Sequence, residues 1–168
     1  YDHTGGLESL LHENPSVQVF TLSSFSDTLK NKVRACGAQL VEHDSLEMLI
    51  PRAYTTGSLG TTIKEQSLIL KTEKGLVVVT GCAHPGIGRI LQYVKQNFEE
   101  GIHMVLGGFH LAGATDDTLE SVIAQLRELG IQKIGPCHCS GDRCRELFRD
   151  EYKENYQSIG VGAVIQIE

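Results

Sequence analysis

The 168 residues predict an α/β domain, because apolar strand patterns alternate with segments of helical periodicity along the chain. Two neighbouring strand patterns, over 66–72 and 76–80, flank the polar segment Glu73-Lys74-Gly75 and predict a hairpin. The sheet is therefore expected to be mixed rather than purely parallel. Three strand patterns in the second half are each followed by a histidine and a helical segment. In open α/β sheets, ligands bind at such carboxyl ends of strands.

The first half of the chain predicts two helices, three strands and a long loop. Leucines and valines at helical spacing predict helices over 5–14 and 26–36, the second of which ends at Gly37. Strands are expected over 17–20, 38–41 and 46–50. Residues 51–65 are rich in Thr, Gly and Ser and are expected to form a loop or an extended lid. This segment is expected to shape either a substrate pocket or a subunit contact.

The second half predicts three helices and a last strand. The first of these helices has one apolar stripe at spacings of three and four, formed by Ile87, Ile90, Leu91, Val94 and Phe98. Asp117 is expected to cap the next helix, with Glu120 three residues further on, and Gly130 is expected to end it. A final helix is expected over 142–152 and a strand over 161–167.

Composition and charge exclude several classes of protein. The formal net charge is −6 and no basic cluster is present, which argues against nucleic-acid binding. The longest apolar runs are only a few residues long, so we expect neither a membrane span nor a signal peptide. Five cysteines, an odd number, favour reduced thiols and a cytoplasmic location. Because no linker or low-complexity tract is present, we predict a single domain over 1–168.

Three of the seven histidines share a context that points to metal binding. His84, His110 and His138 each follow a strand pattern and precede a helical one. They are expected to point into one cleft, where they would form a metal site. Imidazole suits zinc, manganese, iron and nickel alike, so these residues do not choose the metal. Other histidines are expected to be solvated or structural: His12 and His43 solvated, His103 structural.

Several alternatives remain open from the residues alone. Asp2-His3 supplies a carboxylate and an imidazole, but Asp2 or Thr4 could equally cap the helix that follows. A non-catalytic α/β domain that binds anions at helix N-termini, such as that near Gly86, is a second possibility. A thiolate-metal or redox protein would use a third set of residues, Cys137, Cys139 and Cys144. The spacing of these cysteines does not fit the usual pairs, and alternation along an extended segment would turn two of them away from His138.

Several motifs resemble those of one protein family. The segment Tyr1-Asp2-His3-Thr4-Gly5-Gly6-Leu7 resembles the second half of the His-x-His-x-Asp-His motif of the metallo-β-lactamase superfamily, with its trailing Gly-Gly-Leu. Further motifs resemble one branch, which includes the archaeal dihydropteroate-synthase-like enzymes that make a ribofuranosyl-aminobenzene phosphate dihydropterin. They are Tyr54-Thr55-Thr56-Gly57, Glu65-Gln66-Ser67-Leu68, Gly81-Cys82-Ala83-His84, Gly107-Gly108-Phe109-His110-Leu111 and Cys137-His138-Cys139-Ser140-Gly141.

The resemblance implies an αββα sandwich with mixed sheets and metals at one edge. It implies that His84 joins the two leading histidines of the motif on a first metal, and that Asp2, His3 and His138 hold a second. Those leading histidines would precede Tyr1, so the chain is expected to be the C-terminal portion of a longer domain and N-terminally incomplete. Many members carry a bridging aspartate where this chain has His110, which is expected to bind metal or contact substrate.

The function implied is that of a metal-dependent hydrolase or a related transferase. A metal-bound hydroxide at a dinuclear site would attack an ester or phosphoester, Asp2 would orient it, and His110 would donate a proton or stabilise an oxyanion. Up to two divalent metals are expected, zinc ahead of manganese or iron. The expected partner is a small-molecule substrate, phosphorylated or pterin-like, with no nucleic acid and no membrane. A homo-oligomer is compatible with the sequence, and residues 1–168 alone are expected to be inactive.

Overall fold

The computed structural model describes residues 2–167 and contains two sheets and five α-helices. In chain order the elements are α1 (Leu7–Glu13), β1 (Gln18–Thr21), α2 (Asp27–Ala35), β2 (Gln39–Glu42), β3 (Glu47–Ile50), β4 (Ala53–Thr55), β5 (Leu68–Thr72), β6 (Gly75–Thr80), α3 (Ile87–Asn97), β7 (Ile102–Gly108), α4 (Asp116–Glu128), β8 (Lys133–Cys137) and α5 (Asp142–Tyr152). No helix within this range combines the length and the apolar character needed to cross a membrane. Tyr1, which begins the first motif, lies outside the described residues.

The larger sheet has six strands in the order β3-β4-β5-β6-β7-β8. Neighbouring strands from β3 to β6 are antiparallel, whereas β6, β7 and β8 are parallel. The β5–β6 hairpin pairs Leu68 with Val79 and Thr72 with Gly75, so the predicted hairpin and the mixed sheet are both confirmed. Because β6, β7 and β8 run in the same direction, the loops that follow them all lie at one edge of the sheet.

The smaller sheet consists of β1 and β2, which are parallel and joined by α2. The Oγ of Ser26 caps α2 by accepting a hydrogen bond from the N–H of Leu29 at 3.3 Å. Leu11, Val33 and Ala38 form the buried core between this sheet and its two helices, α1 and α2. The predicted helices and strands of this region are confirmed to within a few residues.

The main core lies between the six-stranded sheet and helices α3, α4 and α5. Strands β5 to β8 each contribute a fully buried aliphatic side chain: Ile69, Val78, Val105 and Ile134. They pack with Ile90 of α3, Leu119 of α4 and Phe148 of α5 in one continuous cluster. Full burial of each such side chain stabilises the fold by about 1.5–3 kcal/mol before entropy is counted. This core fixes the parallel strands whose ends carry the histidines.

Two predictions for the first half of the chain were wrong, one about a loop and one about a histidine. Segment 51–65 is not all loop, because β4 pairs on both sides, with β3 and β5. Its three residues are too few to produce a strand pattern in the sequence. His43 is not solvated: only 12% of its side chain is exposed, its Nδ1 contacts the Glu47 carboxylate, and its ring packs on Phe20.

Two further predictions were wrong in the second half. Helix α4 is capped by Thr115, whose Oγ1 accepts a hydrogen bond from the N–H of Thr118 at 3.4 Å. Asp117 lies instead in the first turn, where its charge favours the helix dipole. Residues 161–167 form no strand, because they pair with no strand among residues 2–167 and their apolar side chains Val161 and Val164 are exposed. The chain contacts the outer edge of β8 before this segment, where Tyr156 bridges Ile134 and the N–H of Gln157 donates to the Ile134 carbonyl at 2.7 Å.

Candidate metal centre

The loops after β6, β7 and β8 turn sharply and bring their side chains to the edge of the sheet. Ala83, His110 and His138 have φ values of 61°, 53° and 51°. They are three of the five non-glycine residues with positive φ in the described part of the chain. Such left-handed backbone costs about 1–3 kcal/mol per residue and persists where the surroundings enforce it. Strain of this kind, concentrated at one edge, indicates a functional site.

The histidines at this edge form two pairs rather than one cluster. The rings of His84 and His110 lie with their centroids 4.2 Å apart. The rings of His3 and His138 meet edge to face, with their centroids 4.7 Å apart. The sequence therefore places the three strand-end histidines at one edge, but the structure divides them between two pairs and adds His3 to the second.

The second pair belongs to a group of four donors. Asp2 Oδ2 lies 3.4 Å from His138 Nε2 and 3.7 Å from His3 Nε2. His3 Nε2 lies 2.9 Å from the Sγ of Cys82. One donor atom from each of these four residues lies within 4.8 Å of all the others. A carboxylate, two imidazoles and a thiol at this spacing fit a zinc or iron ion.

Asp2 and Thr4 do not cap the first helix. Helix α1 has Gly6 at its N-cap position and no side-chain cap. The alternative role for Asp2, that of a plain helix cap, is thereby excluded, while its carboxylate faces the two imidazoles of the second pair.

Cys82 lies at the centre of the edge and was not identified from the sequence. It is buried and takes part in all three groups of donors that the described residues form. Burial, together with a hydrogen bond to Cys139, raises the pKa of the Cys82 thiol to about 12. In the sequence, the residue is hidden at the end of an apolar strand, where cysteine behaves as a small hydrophobic residue.

Glu65 is the second residue that sequence analysis missed. Its Oε2 accepts hydrogen bonds from the N–H groups of Ala83, at 2.8 Å, and His84, at 3.3 Å, while its Oε1 contacts His84 Nδ1. A carboxylate behind one ring nitrogen fixes the ring and leaves Nε2 to bind a ligand. Its one signal is its place in the Glu65-Gln66-Ser67-Leu68 motif, which gave it no role.

His110 belongs to a third group, with Cys82 and Cys139. The Cys139 thiol donates to the Cys82 carbonyl oxygen at 3.5 Å. Residues His138–Ser140 form a 3₁₀ turn rather than an extended segment, so strand alternation does not apply to them. Cys139 nevertheless groups with His110 and not with His138.

The three-cysteine site considered above does not form. No candidate group among residues 2–167 contains two of Cys137, Cys139 and Cys144. Cys144 lies in the main hydrophobic core, and burial raises the pKa of its thiol to about 12. The thiolate-metal alternative in that form is therefore not supported.

Close backbone contact locks the first two loops together. The N–H of Gly108 donates to the Gly81 carbonyl at 3.0 Å, and the Thr80 hydroxyl donates to the Gly108 carbonyl at 2.8 Å. A Cβ at Gly108 would lie 2.3 Å from the Gly81 oxygen and 2.8 Å from the Cys139 Sγ. Only glycine fits here, which explains the second glycine of the Gly107-Gly108 motif.

Comparison with known proteins identifies similar chains. No protein-family model matches this chain. It is 27% identical, over an alignment of 211 residues, to the 7,8-dihydropterin-6-methyl-4-(beta-D-ribofuranosyl)-aminobenzene-5'-phosphate synthase of Methanocaldococcus jannaschii, and the match covers 99% of this chain and 72% of the relative. It is also 38% identical over 91 residues to the uncharacterized protein MJ0448 of the same organism, covering 54% of this chain and 34% of that protein.

A solved structure is also similar to this chain. The crystal structure of Tm1679, a metal-dependent hydrolase of the beta-lactamase superfamily, matches with a TM-score of 0.77 and 26% identity. The match covers 94% of this chain and 73% of that chain. The resemblance to the metallo-β-lactamase superfamily and to its dihydropterin-synthase branch is confirmed, and the chain has the metallo-β-lactamase fold.

Proposed function

We propose that this chain of the metallo-β-lactamase fold acts as a metal-dependent hydrolase on an ester or phosphoester bond in a small molecule. The observation that carries the proposal is the meeting of Asp2, His3, Cys82 and His138 within 4.8 Å at the carboxyl edge of the sheet. His84, held from behind by Glu65, lies beside this group. Oxygen, nitrogen and sulfur donors together favour zinc, ahead of iron or manganese.

The chain's own residues would bind the metal ions and orient the attacking water. Asp2, His3 and His138 would hold one cation, with the Cys82 sulfur as a further donor, and His84 would offer its Nε2 to a second. A divalent cation, when bound, lowers the pKa of a coordinated water to about 7 and stabilises charge on oxygen. The Asp2 carboxylate would also accept a hydrogen bond from the attacking water and fix its direction.

His110 would act on the substrate. Its ring is exposed, lies beside that of His84 at an interplanar angle of 46°, and lines a cavity of about 550 Å³. A histidine at the mouth of such a cavity has the geometry to donate a proton to a leaving group or a hydrogen bond to an oxyanion. We therefore assign the metal-binding role to Asp2, His3, His138 and His84, and the substrate role to His110.

A transferase is the second candidate, because one relative is named as a synthase that makes a phosphorylated dihydropterin compound. The same site would then activate a different acceptor in place of water. A phosphorylated or pterin-like small molecule is the proposed substrate in either case. That residues 1–168 form the C-terminal portion of a longer domain, with the two leading histidines of the motif elsewhere, stays a prediction.

The test is metal analysis of the purified protein, whose intact mass is measured, together with hydrolysis of aryl esters and aryl phosphoesters. Asp2→Asn should lower metal content and hydrolysis together, His110→Ala should lower hydrolysis alone, and the exposed His12→Ala control should change neither. Retention of full activity by Asp2→Asn would refute the proposal. Because residues 1–168 alone are expected to be inactive, the intact mass decides how a negative result is interpreted. A protein whose mass exceeds that of these residues, and that has no stoichiometric metal and no Asp2-dependent turnover, would instead be the non-catalytic anion-binding domain.

A further inference from the structure

A cavity of about 550 Å³ adjoins the first histidine pair. His84 and His110 line one side, Arg89 and Tyr93 of α3 line another, and the loop over 60–63 covers a third. The cavity thus opens onto the side chains that are proposed to act on the substrate. Its size suits a small organic molecule.

The charge of this cavity differs from that of the whole protein. The chain carries a formal net charge of −6, yet no aspartate or glutamate lines the cavity and Arg89 is its one lysine or arginine. Arg89 has no ion pair or hydrogen bond to another side chain among residues 2–167. Its Cγ and Cδ lie 3.9 Å from where a Cβ on Gly86 would be, so the side chain folds back toward the loop that carries His84. An exposed, unpaired guanidinium in an acid-free cavity favours an anionic ligand.

A second cavity gives the contrast. It measures about 830 Å³ and lies beside His138, and it too contains arginines. Arg145, however, donates to Asp142 at 2.9 Å, and Arg149 lies 5.1 Å from the centroid of the Tyr156 ring. Asp142 and a further acidic residue, Glu146, line that cavity. Its positive charge is compensated from within, whereas that of Arg89 is not.

We infer that the cavity beside His84 and His110 binds the anionic group of the substrate and that Arg89 is the residue that recognises it. This inference rests on the proposed hydrolase function, whose substrate class it narrows to small anionic compounds, phosphomonoesters or carboxylates. Tyr93 stands one helical turn after Arg89 and therefore lies on the same face of α3. Its ring would contact the organic part of the bound substrate. The bond to be broken then faces the two histidines.

The covering loop is tied to the metal centre. Its ends are closed by two backbone hydrogen bonds between Leu59 and Glu65, at 2.8 and 2.9 Å. Glu65 itself holds His84 through its carboxylate. Gly60 takes a φ of 96° inside this turn, and a Cβ there would lie 2.4 Å from the Ile63 oxygen. One segment therefore sets both the wall of the cavity and the orientation of His84.

The test measures binding of phenylphosphonate, whose P–C bond is not hydrolysed, and of benzoate by calorimetry, so that turnover does not contribute to the heat. Arg89→Ala should weaken binding of the preferred anion by about 10- to 100-fold, as expected for loss of a charge-assisted hydrogen bond. Arg89→Lys, which keeps the charge but not the planar fork, should give an intermediate loss. Lys95→Ala removes a charge from the same helix outside the cavity and should change binding less than about twofold. Preference for phenylphosphonate identifies a phosphate group, and preference for benzoate identifies a carboxylate.

The outcomes separate this inference from the proposed function. Equal anion binding by the wild type and Arg89→Ala, or no binding of either anion by the wild type, would overturn the inference. Metal content and hydrolysis of the neutral ester phenyl acetate report on the hydrolase proposal alone. If these fail while Arg89-dependent binding persists, the hydrolase proposal falls and the anion site stands.

Discussion

The two histidine pairs are built in different ways. His84 is 25% exposed and is held by Glu65, which is 16% exposed and also bonds the backbone of the same loop. His3 and His138 are 43% and 36% exposed, and within residues 2–167 the carboxylate that both contact is Asp2, itself 66% exposed. The first pair is supported from behind by a carboxylate in a half-buried position. The second pair faces groups that are themselves candidate ligands.

This difference indicates that His84 is more strongly preorganised than His3 and His138. The protein fixes the ring of His84 before anything binds, because the Glu65 carboxylate contacts its Nδ1 from the opposite side of the β5–β6 hairpin in the sequence. In the second pair, His3 and His138 contact Asp2, and His3 also contacts Cys82, so the groups that these rings meet are themselves candidate ligands. We expect cation binding to order Asp2 and His3, and expect the surroundings of His84 to change little.

The largest expected effect comes from removing the support of the first pair. In the wild type, the negative charge of Glu65 orients the His84 ring and raises the basicity of its Nε2. Glu65→Gln places an amide behind Nδ1 and removes this charge. Metal affinity or turnover should fall about 10- to 100-fold. Metal titration of the purified protein and steady-state hydrolysis measure the two effects.

A second glutamate–histidine pair gives the matched control. Glu47 contacts the Nδ1 of His43, and neither residue belongs to a donor group formed by residues 2–167. Glu47→Gln should leave metal content and turnover unchanged. If Glu65→Gln behaves like Glu47→Gln, the first pair is not a supported ligand and the distinction between the pairs fails.

A smaller effect is expected at the backbone contact between the loops that carry His84 and His110. Gly108→Ala places a methyl group 2.3 Å from the Gly81 oxygen and 2.8 Å from the Cys139 sulfur, so the loops must separate. The free energy of unfolding should fall by about 1–3 kcal/mol, as for other overpacked sites. Chemical denaturation measures this free energy. The control is Gly101→Ala, where an added Cβ meets nothing within 4 Å. Gly130→Ala would not serve as a control, because the φ of Gly130 is positive. Equal stability of the two variants would show that the loops separate at little cost.

The sequence predicted the parallel half of the sheet and its histidines for a physical reason. Strands β6, β7 and β8 are buried on both faces, so they appear as apolar runs, and each ends where a histidine begins a loop. Their positions at one edge follow from parallel topology alone. The pairing of the rings does not, because it depends on loop backbone such as the positive φ of His110 and His138.

The parts that sequence analysis missed depend on contacts between distant residues. Glu65 meets His84 across nineteen residues, and Cys82 meets His3 across seventy-nine. Neither residue differs in the sequence from an ordinary loop carboxylate or a buried strand-end thiol. The cap of α4 was misplaced for a local reason, because Thr115, Asp116 and Asp117 are all acceptable near a helix start. The prediction of a strand over 161–167 was wrong because an apolar pattern does not show whether a partner strand is available, and this segment pairs with neither sheet.

The smallest expected effects test which thiol belongs to the centre. Cys82 lies 2.9 Å from His3 Nε2, so Cys82→Ser exchanges a soft sulfur donor for an oxygen and should lower zinc affinity by up to about tenfold. Cys137→Ser should leave it unchanged, because Cys137 is in none of the donor groups formed by the described residues. Metal content after competition with a chelator measures both variants. If Cys137→Ser released metal and Cys82→Ser did not, the metal would be bound by Cys137 and not by the group that contains Cys82. The second pair would then not be a metal site, and the thiolate protein considered from the sequence would replace the hydrolase.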